Sequence, residues 1–194
     1  GCDTVILQED TQVVQDKIQI NELPKKGQFI RYPGLDFSAG QKIISKNSQL
    51  TARSCALIAL AGLSELPVIK KPRIGILTSG DELVAPGQIP KSGQLINSNN
   101  ILLSSLIKAS GGEPIDLGIL ADKSGALIET LKNSSELDLV VTTGGASVGD
   151  HDFIANDIKN DPNTSLCFWK IAMRPGKPLL FGKYENTPLL GLSG

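Results

Sequence analysis

Residues 139–152 read LVVTTGGASVGDHD, and the fold of the second half of the chain turns on them. Leu139-Val140-Val141 is a short apolar run closed by Thr142 and Thr143. A brief, continuously apolar segment of this kind has the make-up of a strand buried in a parallel sheet. Two adjacent glycines, a serine, a third glycine and two aspartates around the sole histidine follow. Glycines let successive backbone N–H groups point inward, so such a loop can cradle an anion where a helix begins, just after Asp150. It is neither a dinucleotide fingerprint nor a P-loop, because GxGxxG is absent and no GK[ST] follows. A plain strand–helix turn has the same composition.

Outward from this stretch the pattern alternates. RIGILTSG (73–80) is a second apolar run ending in glycine. NSNNILLSSLIKASGG (97–112) has apolar residues at 101, 102, 103, 106 and 107, with Ser98 as N-cap and Gly111 or Gly112 as terminator. PIDLGIL (114–120) reads as a strand, DKSGALIETLKNSS (122–135) as a helix capped by Asp122, and DFIANDIKN (152–160) as another helix. LCFWKIA, KPLLFG and TPLLGL supply three further strands. Strands alternating with helices predict an α/β fold, whose ligands bind beyond the carboxyl ends of the strands. TSGDEL (78–83) and TTGGASVGDHD (142–152) then share one rim. This region spans 71–194. Residues 1–50 read as β-rich, with strands expected at TVILQ (4–8), at KIQIN (17–21) and after Gly40. Residues 51–70 are expected to form a linking helix, in TARSCALIALAGL, and a strand.

Composition narrows the function. The 194 residues carry 19 Lys and Arg against 20 Asp and Glu, a net charge of −1, and only 4% aromatics. Neither a basic excess nor a stacking surface suggests nucleic acid. No apolar run approaches the ~18 residues of a membrane span, and no signal peptide is visible. Cys2, Cys55 and Cys167 form no CxxC pair, which fits a reducing cytosol; Cys55 and Cys167 are expected in the core. One histidine excludes a His-rich metal site, and a Ser-His-Asp triad could run only through His151, which reads as a surface residue. Gly1 is not an initiator methionine, and the chain is expected to be a segment of a longer one.

Three sets of side chains carry chemistry. Asp81 and Glu82 end a predicted strand and could hold Mg²⁺, act as a base, or simply cap a turn. Lys170, Arg174 and Lys177 surround a Pro-Gly turn, expected beside the glycine loop. Such charges suit a tetrahedral oxyanion, though a solvated basic turn has the same sequence. Asp36 lies in the turn of RYPGLDFSAG.

Taken in order, GCDTVILQED, IRYPGLDFSAG, PRIGILTSGDELV, INSNN, GILAD, TTGGASVGDHDF and FWKIAMRPGKP resemble the MoeA family, the molybdopterin molybdenumtransferases, with gephyrin among its relatives. The similarity runs along essentially the whole chain. It implies a three-layer α/β domain of the MogA/MoaB type, preceded by part of a β-rich domain and a linking helix. It implies insertion of molybdenum from molybdate into adenylylated molybdopterin, with Mg²⁺ and release of AMP. It also implies a cytoplasmic homodimer and a MogA-type adenylyltransferase as a possible partner. By the same resemblance Glu82, Asp122, Asp152 and Asp36 are catalytic, and Asp81, Glu82, Asp150 and Asp152 hold metal. Ser98, Asn99, Gly144, Gly145, Ser147 and Gly149 hold the pterin phosphate and adenylate. Lys170, Arg174 and Lys177 hold molybdate and neutralise charge developing at phosphorus.

Two departures bear on this. Arg174 stands where the family usually has lysine, so a planar fork replaces a point charge. The final GLSG stands where the family continues as GLPGNP, and the family's N-terminal stretch and C-terminal β domain have no counterpart. Little or no turnover is therefore expected from this chain alone. The rivals are a MogA/MoaB-like adenylyltransferase, a CinA-type protein, a gephyrin-like scaffold without catalysis, and a purely structural α/β domain. Residues 1–50 speak against the first two. Tolerance of Glu82→Ala would favour a scaffold.

Overall fold

A computed structural model describes residues 1–134, 136–144 and 153–194. The chain divides into two compact units, Gly1–Val68 and Ile69–Gly194.

The first unit holds a 3₁₀ turn at Gln8–Asp10, one hairpin and one α-helix. Strands β1 (Thr11–Val14) and β2 (Lys17–Ile20) pair antiparallel across a turn at Gln15-Asp16, where Gln15 takes a positive φ of 56°. The strand expected at residues 4–8 is instead extended chain. Its neighbour supplies two backbone bonds, Val5 N–H to the Gln28 carbonyl (3.1 Å) and Gly27 N–H to that of Asp3 (2.8 Å), and a strand needs a longer ladder. The strand expected after Gly40 is also missing. Turns close there from Gln41 to Ser38 and from Ser48 to Ser45, in a polar stretch with no partner strand. Helix α1 (Ala52–Leu60) begins where Thr51 Oγ1 accepts the Ser54 N–H at 3.2 Å. It ends at Gly62, whose φ of +83° turns the chain so that Gly62 N–H reaches Ala59 O and Leu63 N–H reaches Ile58 O. Of the helix and strand expected in residues 51–70, only this helix forms.

The second unit is the expected α/β fold. Its strands are β3 (Arg73–Ser79), β4 (Leu83–Val84), β5 (Leu95–Ile96), β6 (Glu113–Leu120), β7 (Leu139–Thr143), β8 (Thr164–Trp169), β9 (Leu180–Tyr184) and β10 (Thr187–Leu192). Helices α2 (Asn99–Ala109), α3 (Ala126–Lys132) and α4 (Phe153–Asn160) alternate with them. The main sheet runs β6-β3-β7-β10-β9-β8. β6, β3, β7 and β10 pair parallel, and β9 runs antiparallel to both β10 and β8. Leu77 and Val140 face Leu127, Leu131, Ile154 and Ile158 of α3 and α4 in one buried cluster. Ile76 and Val141, one residue along, point to the opposite face, where α2 buries Ile107 and packs on β3 and β6. The result is three layers.

Local chemistry explains several boundaries. α2 ends at Gly111 (φ +88°): Gly111 N–H bonds Lys108 O and Gly112 N–H bonds Ile107 O. Gly118 (φ +90°) marks the bulge at which β6 gains one residue on β3. Cys55 and Cys167 are exposed, contrary to expectation. α1 buries only Ile58, and Cys167 falls at the bulge of edge strand β8, between Leu166 and Phe168. No described helix is long and apolar enough to cross a membrane.

Candidate functional site

The parallel strands deliver their last residues to one rim. β3 ends at Ser79 and β7 at Thr143, two strands held side by side. Past Ser79 the chain makes a tight turn, Leu83 N–H bonding Gly80 O at 3.0 Å. The short β4–β5 ladder then returns Asn97, Ser98 and Asn99 to the same place. The result is a cleft of about 220 Å³ lined by Ser79, Glu82, Asn97, Ser98, Asn99, Thr143, Gly144 and Gly194 with three apolar residues. It is smaller than the roughly 300 Å³ at which pockets for drug-sized ligands begin, so it fits part of such a ligand.

Each wall has a physical cause. Gly144 takes φ +79°, and a Cβ there would collide with the backbone carbonyl of Ser79, so only glycine lets the two strand ends approach. Asn97 is buried. Its amide donates to Thr78 Oγ1 at 2.7 Å, and its carbonyl oxygen accepts the Asn100 N–H at 3.4 Å. Asn97 thus serves α2's first turn, and Ser98, expected as the cap, makes no side-chain cap bond. Ser98 and Asn99 instead line the cleft at the positive end of an eleven-residue helix, a setting suited to an anion.

The acidic residues form a chain behind this cleft. Ser79 Oγ donates to Asp122 Oδ1 at 2.7 Å, and the Asp122 N–H donates to Asp81 Oδ1 at 3.0 Å. Asp122 is therefore not the cap of α3. That task falls to Asp157 of α4, whose carboxylate accepts the N–H groups of Gly125 (2.7 Å) and Leu127 (3.3 Å). A larger concavity, about 400 Å³, lies between α3 and α4 around Asp157. Because its central carboxylate is spent on capping, the rim cleft is the better candidate. Glu82 is exposed at the cleft mouth.

Lys170, Arg174 and Lys177 stand at the far end of the rim. β8, from which this turn leaves, is not the neighbour of β7 as expected, because β10 and β9 lie between them. Trp169 is in register with Leu180, Leu180 with Gly191, and Gly191 with Thr142, so Lys170 leaves the sheet on the cleft's rim. Four strand spacings separate β8 from β3, roughly 19 Å. The basic turn is closed by Ile171 N–H to Lys177 O at 2.9 Å. Asp36 belongs to the first unit, where Arg31 Nη2 donates to its Oδ2 at 2.6 Å. Gly145, Ser147, Gly149, Asp150, His151 and Asp152 lie outside the described residues.

Among the described residues no three acidic, histidine or cysteine groups converge on a cation position. The donor set still fits Mg²⁺, which takes hard oxygens and commonly needs only one or two carboxylates beside phosphate and water. The bonds above engage one oxygen each of Asp81 and Asp122. Ser79, Asn97 and Thr143 escaped the sequence analysis. Ser79 and Thr143 could have been found from the rule that ligands sit at strand carboxyl ends.

An open, mainly parallel sheet with a polar cleft at its carboxyl rim defines an α/β ligand-binding module. Residues 75–194 match the family model described as "Probable molybdopterin binding domain", and residues 1–62 match "MoeA N-terminal region (domain I and II)". The chain belongs to the MoeA family of molybdopterin-binding proteins. Relatives named molybdopterin molybdenumtransferase occur in Haemophilus influenzae, 38% identical over all of this chain and 48% of that protein, and in Nostoc, 36% identical over 45% of that protein. A crystal structure of a molybdopterin biosynthesis MoeA protein from Pyrococcus horikoshii superposes with a TM-score of 0.75 at 30% identity, covering 99% of this chain and 48% of that one. The chain thus spans about half the length of the relatives it matches.

Proposed function

We propose that this chain carries part of the active site of a molybdopterin molybdenumtransferase in molybdenum cofactor biosynthesis. The reaction inserts molybdenum from molybdate into adenylylated molybdopterin and releases AMP. One observation carries the reading: the Ser79–Asp122–Asp81 hydrogen-bond chain starts from Ser79 in the wall of a cleft that Gly144 and the N-terminus of α2 also line. In this reading the backbone and hydroxyl donors serve a phosphate, and the carboxylates serve its cleavage.

In this reading Ser98, Asn99 and the backbone at Gly144 hold the adenylate phosphate, with Gly145, Ser147 and Gly149 extending the cradle. Glu82 orients the attacking water, whose oxygen bonds to phosphorus as the phosphoanhydride bond to molybdopterin breaks and AMP leaves. Ser79 spends its proton on Asp122 and so fixes that carboxylate. Asp81 and Glu82, with Asp150 and Asp152, would hold Mg²⁺, which when bound neutralises charge on the phosphates. Lys170, at the end of β8 and four strand spacings or roughly 19 Å from β3, serves a different part of the substrate from Ser79, together with Arg174 and Lys177. They suit the other end of an extended substrate, where molybdate binds. Asp36 completes the family's catalytic set. The proposal includes a cytoplasmic homodimer supplied by a MogA-type adenylyltransferase, and little or no turnover from this chain alone.

Single-turnover AMP release from adenylylated molybdopterin, measured in a full-length protein that carries this chain, tests the reading. Glu82→Gln should slow release about 100-fold while leaving AMP affinity within about threefold. An unchanged rate would contradict it.

A further inference from the structure

Trp169 is the chain's sole tryptophan, and its ring carries two cations. Lys159 Nζ lies 3.9 Å from the indole centroid and Lys170 Nζ 4.0 Å from it. The two ammonium nitrogens are therefore no more than about 8 Å apart, close enough for the like charges to repel. Among the described ion pairs neither lysine has a carboxylate partner. Lys159 comes from α4, and Lys170 follows Trp169 directly, with a positive φ of 73°.

The ring itself is fixed. Trp169 packs against the main core cluster, and its Nε1–H is buried with no acceptor among the described residues. Leaving a buried donor unpaired is a cost that phenylalanine or leucine at this position would avoid. What those residues do not match is the electron-rich indole face, the strongest of the aromatic cation partners.

We infer that Trp169 is a positioning residue that holds Lys170 and Lys159 as a paired-ammonium seat for a tetrahedral oxyanion, with Lys159 a binding residue of that seat. The inference rests on the proposed function, in which the oxyanion is molybdate. Trp169 restrains two long, flexible side chains before the anion arrives, and two point charges are then offered together. Ordering both lysines beforehand removes an entropy cost from binding.

Calorimetric titration of molybdate, and separately of AMP, into the chain tests this. Lys170→Met should weaken molybdate about tenfold and Lys159→Met about threefold, with AMP affinity unchanged. Trp169→Leu should weaken molybdate about fivefold, and Trp169→Phe should recover most of that loss. Because Trp169 acts through the lysines, the triple variant Lys159→Met/Trp169→Leu/Lys170→Met should bind no more weakly than Lys159→Met/Lys170→Met. If the lysine variants weaken molybdate but Trp169→Leu does not, or if its effect adds in full to theirs, the positioning role is overturned and the proposed function stands. If Lys170→Met, or the folded wild type, shows no molybdate-specific effect, the reading beneath it fails. Should Trp169→Leu not fold, biosynthetic replacement by difluorotryptophan alters this one ring and drains its face without changing its shape. Weaker molybdate binding then supports the inference, and unchanged binding overturns it.

Discussion

The two units keep their shape by different means. The first buries a single residue, Ile58, in 68, and leaves the cross-strand pair Val13 and Ile18 at 78% and 70% exposure. Its order comes from local chemistry: the Thr51 cap, the Gly62 terminator, the Arg31–Asp36 pair and a succession of turns. The second unit is organised by long-range burial, with Leu77, Leu127, Val140, Ile154 and Leu180 within 1% of full enclosure. Local bonds hold a segment only against its neighbours in sequence, whereas a packed sheet holds residues a hundred positions apart. That is why the rim, which must fix Ser79 against Gly144, is built on the second unit.

The contrast can be broken from either side. Leu127→Ala should cost the second unit about 3 kcal/mol in urea denaturation, whereas Val13→Thr in the first should change stability by less than about 0.5 kcal/mol. Comparable losses would mean the exposed hairpin is a packing element. Asp157→Ala comes next. It strips α3 of the carboxylate that accepts from Gly125 and Leu127, and a thermal melt should show a loss of about 2 kcal/mol. An unchanged melt would show that Asp157 does not cap the helix. Gly62→Ala is the smallest. Its φ of +83° in open space should cost about 1 kcal/mol, confined to hydrogen exchange at α1 and leaving the amides of β3 and β7 as they were.

Much of the second unit was legible in the sequence because its signals are local. RIGILTS and LVVTT are apolar runs of strand length, and the glycines after α1 and α2 stand where the helices end. The rest depended on distance. Asp122 looked like a helix cap because it precedes α3, but Asp157, more than thirty positions on, takes the bonds. Strand order is likewise invisible in a list of strands, so the basic turn was expected to leave the strand beside β7 when two strands intervene. In the first unit KIQIN became β2, paired with β1, whereas TVILQ and the residues after Gly40 did not become strands, since extended residues without a neighbouring ladder remain coil. Of the candidate site, Glu82, Ser98, Asn99 and Gly144 meet in one cleft, and Ser79 and Asn97 join them for reasons of packing that no motif displays.

The central claim is that the cleft between Ser79 and Gly144 receives an adenylate phosphate. The most direct measurement is calorimetric titration of AMP with Mg²⁺ into wild type, Gly144→Val and Ser98→Ala, each checked for folding by circular dichroism. Wild type should bind, Ser98→Ala should bind about fivefold more weakly, and Gly144→Val should not bind while keeping its fold. Wild-type affinity in a folded Gly144→Val, or no binding by the folded wild type, would contradict the account.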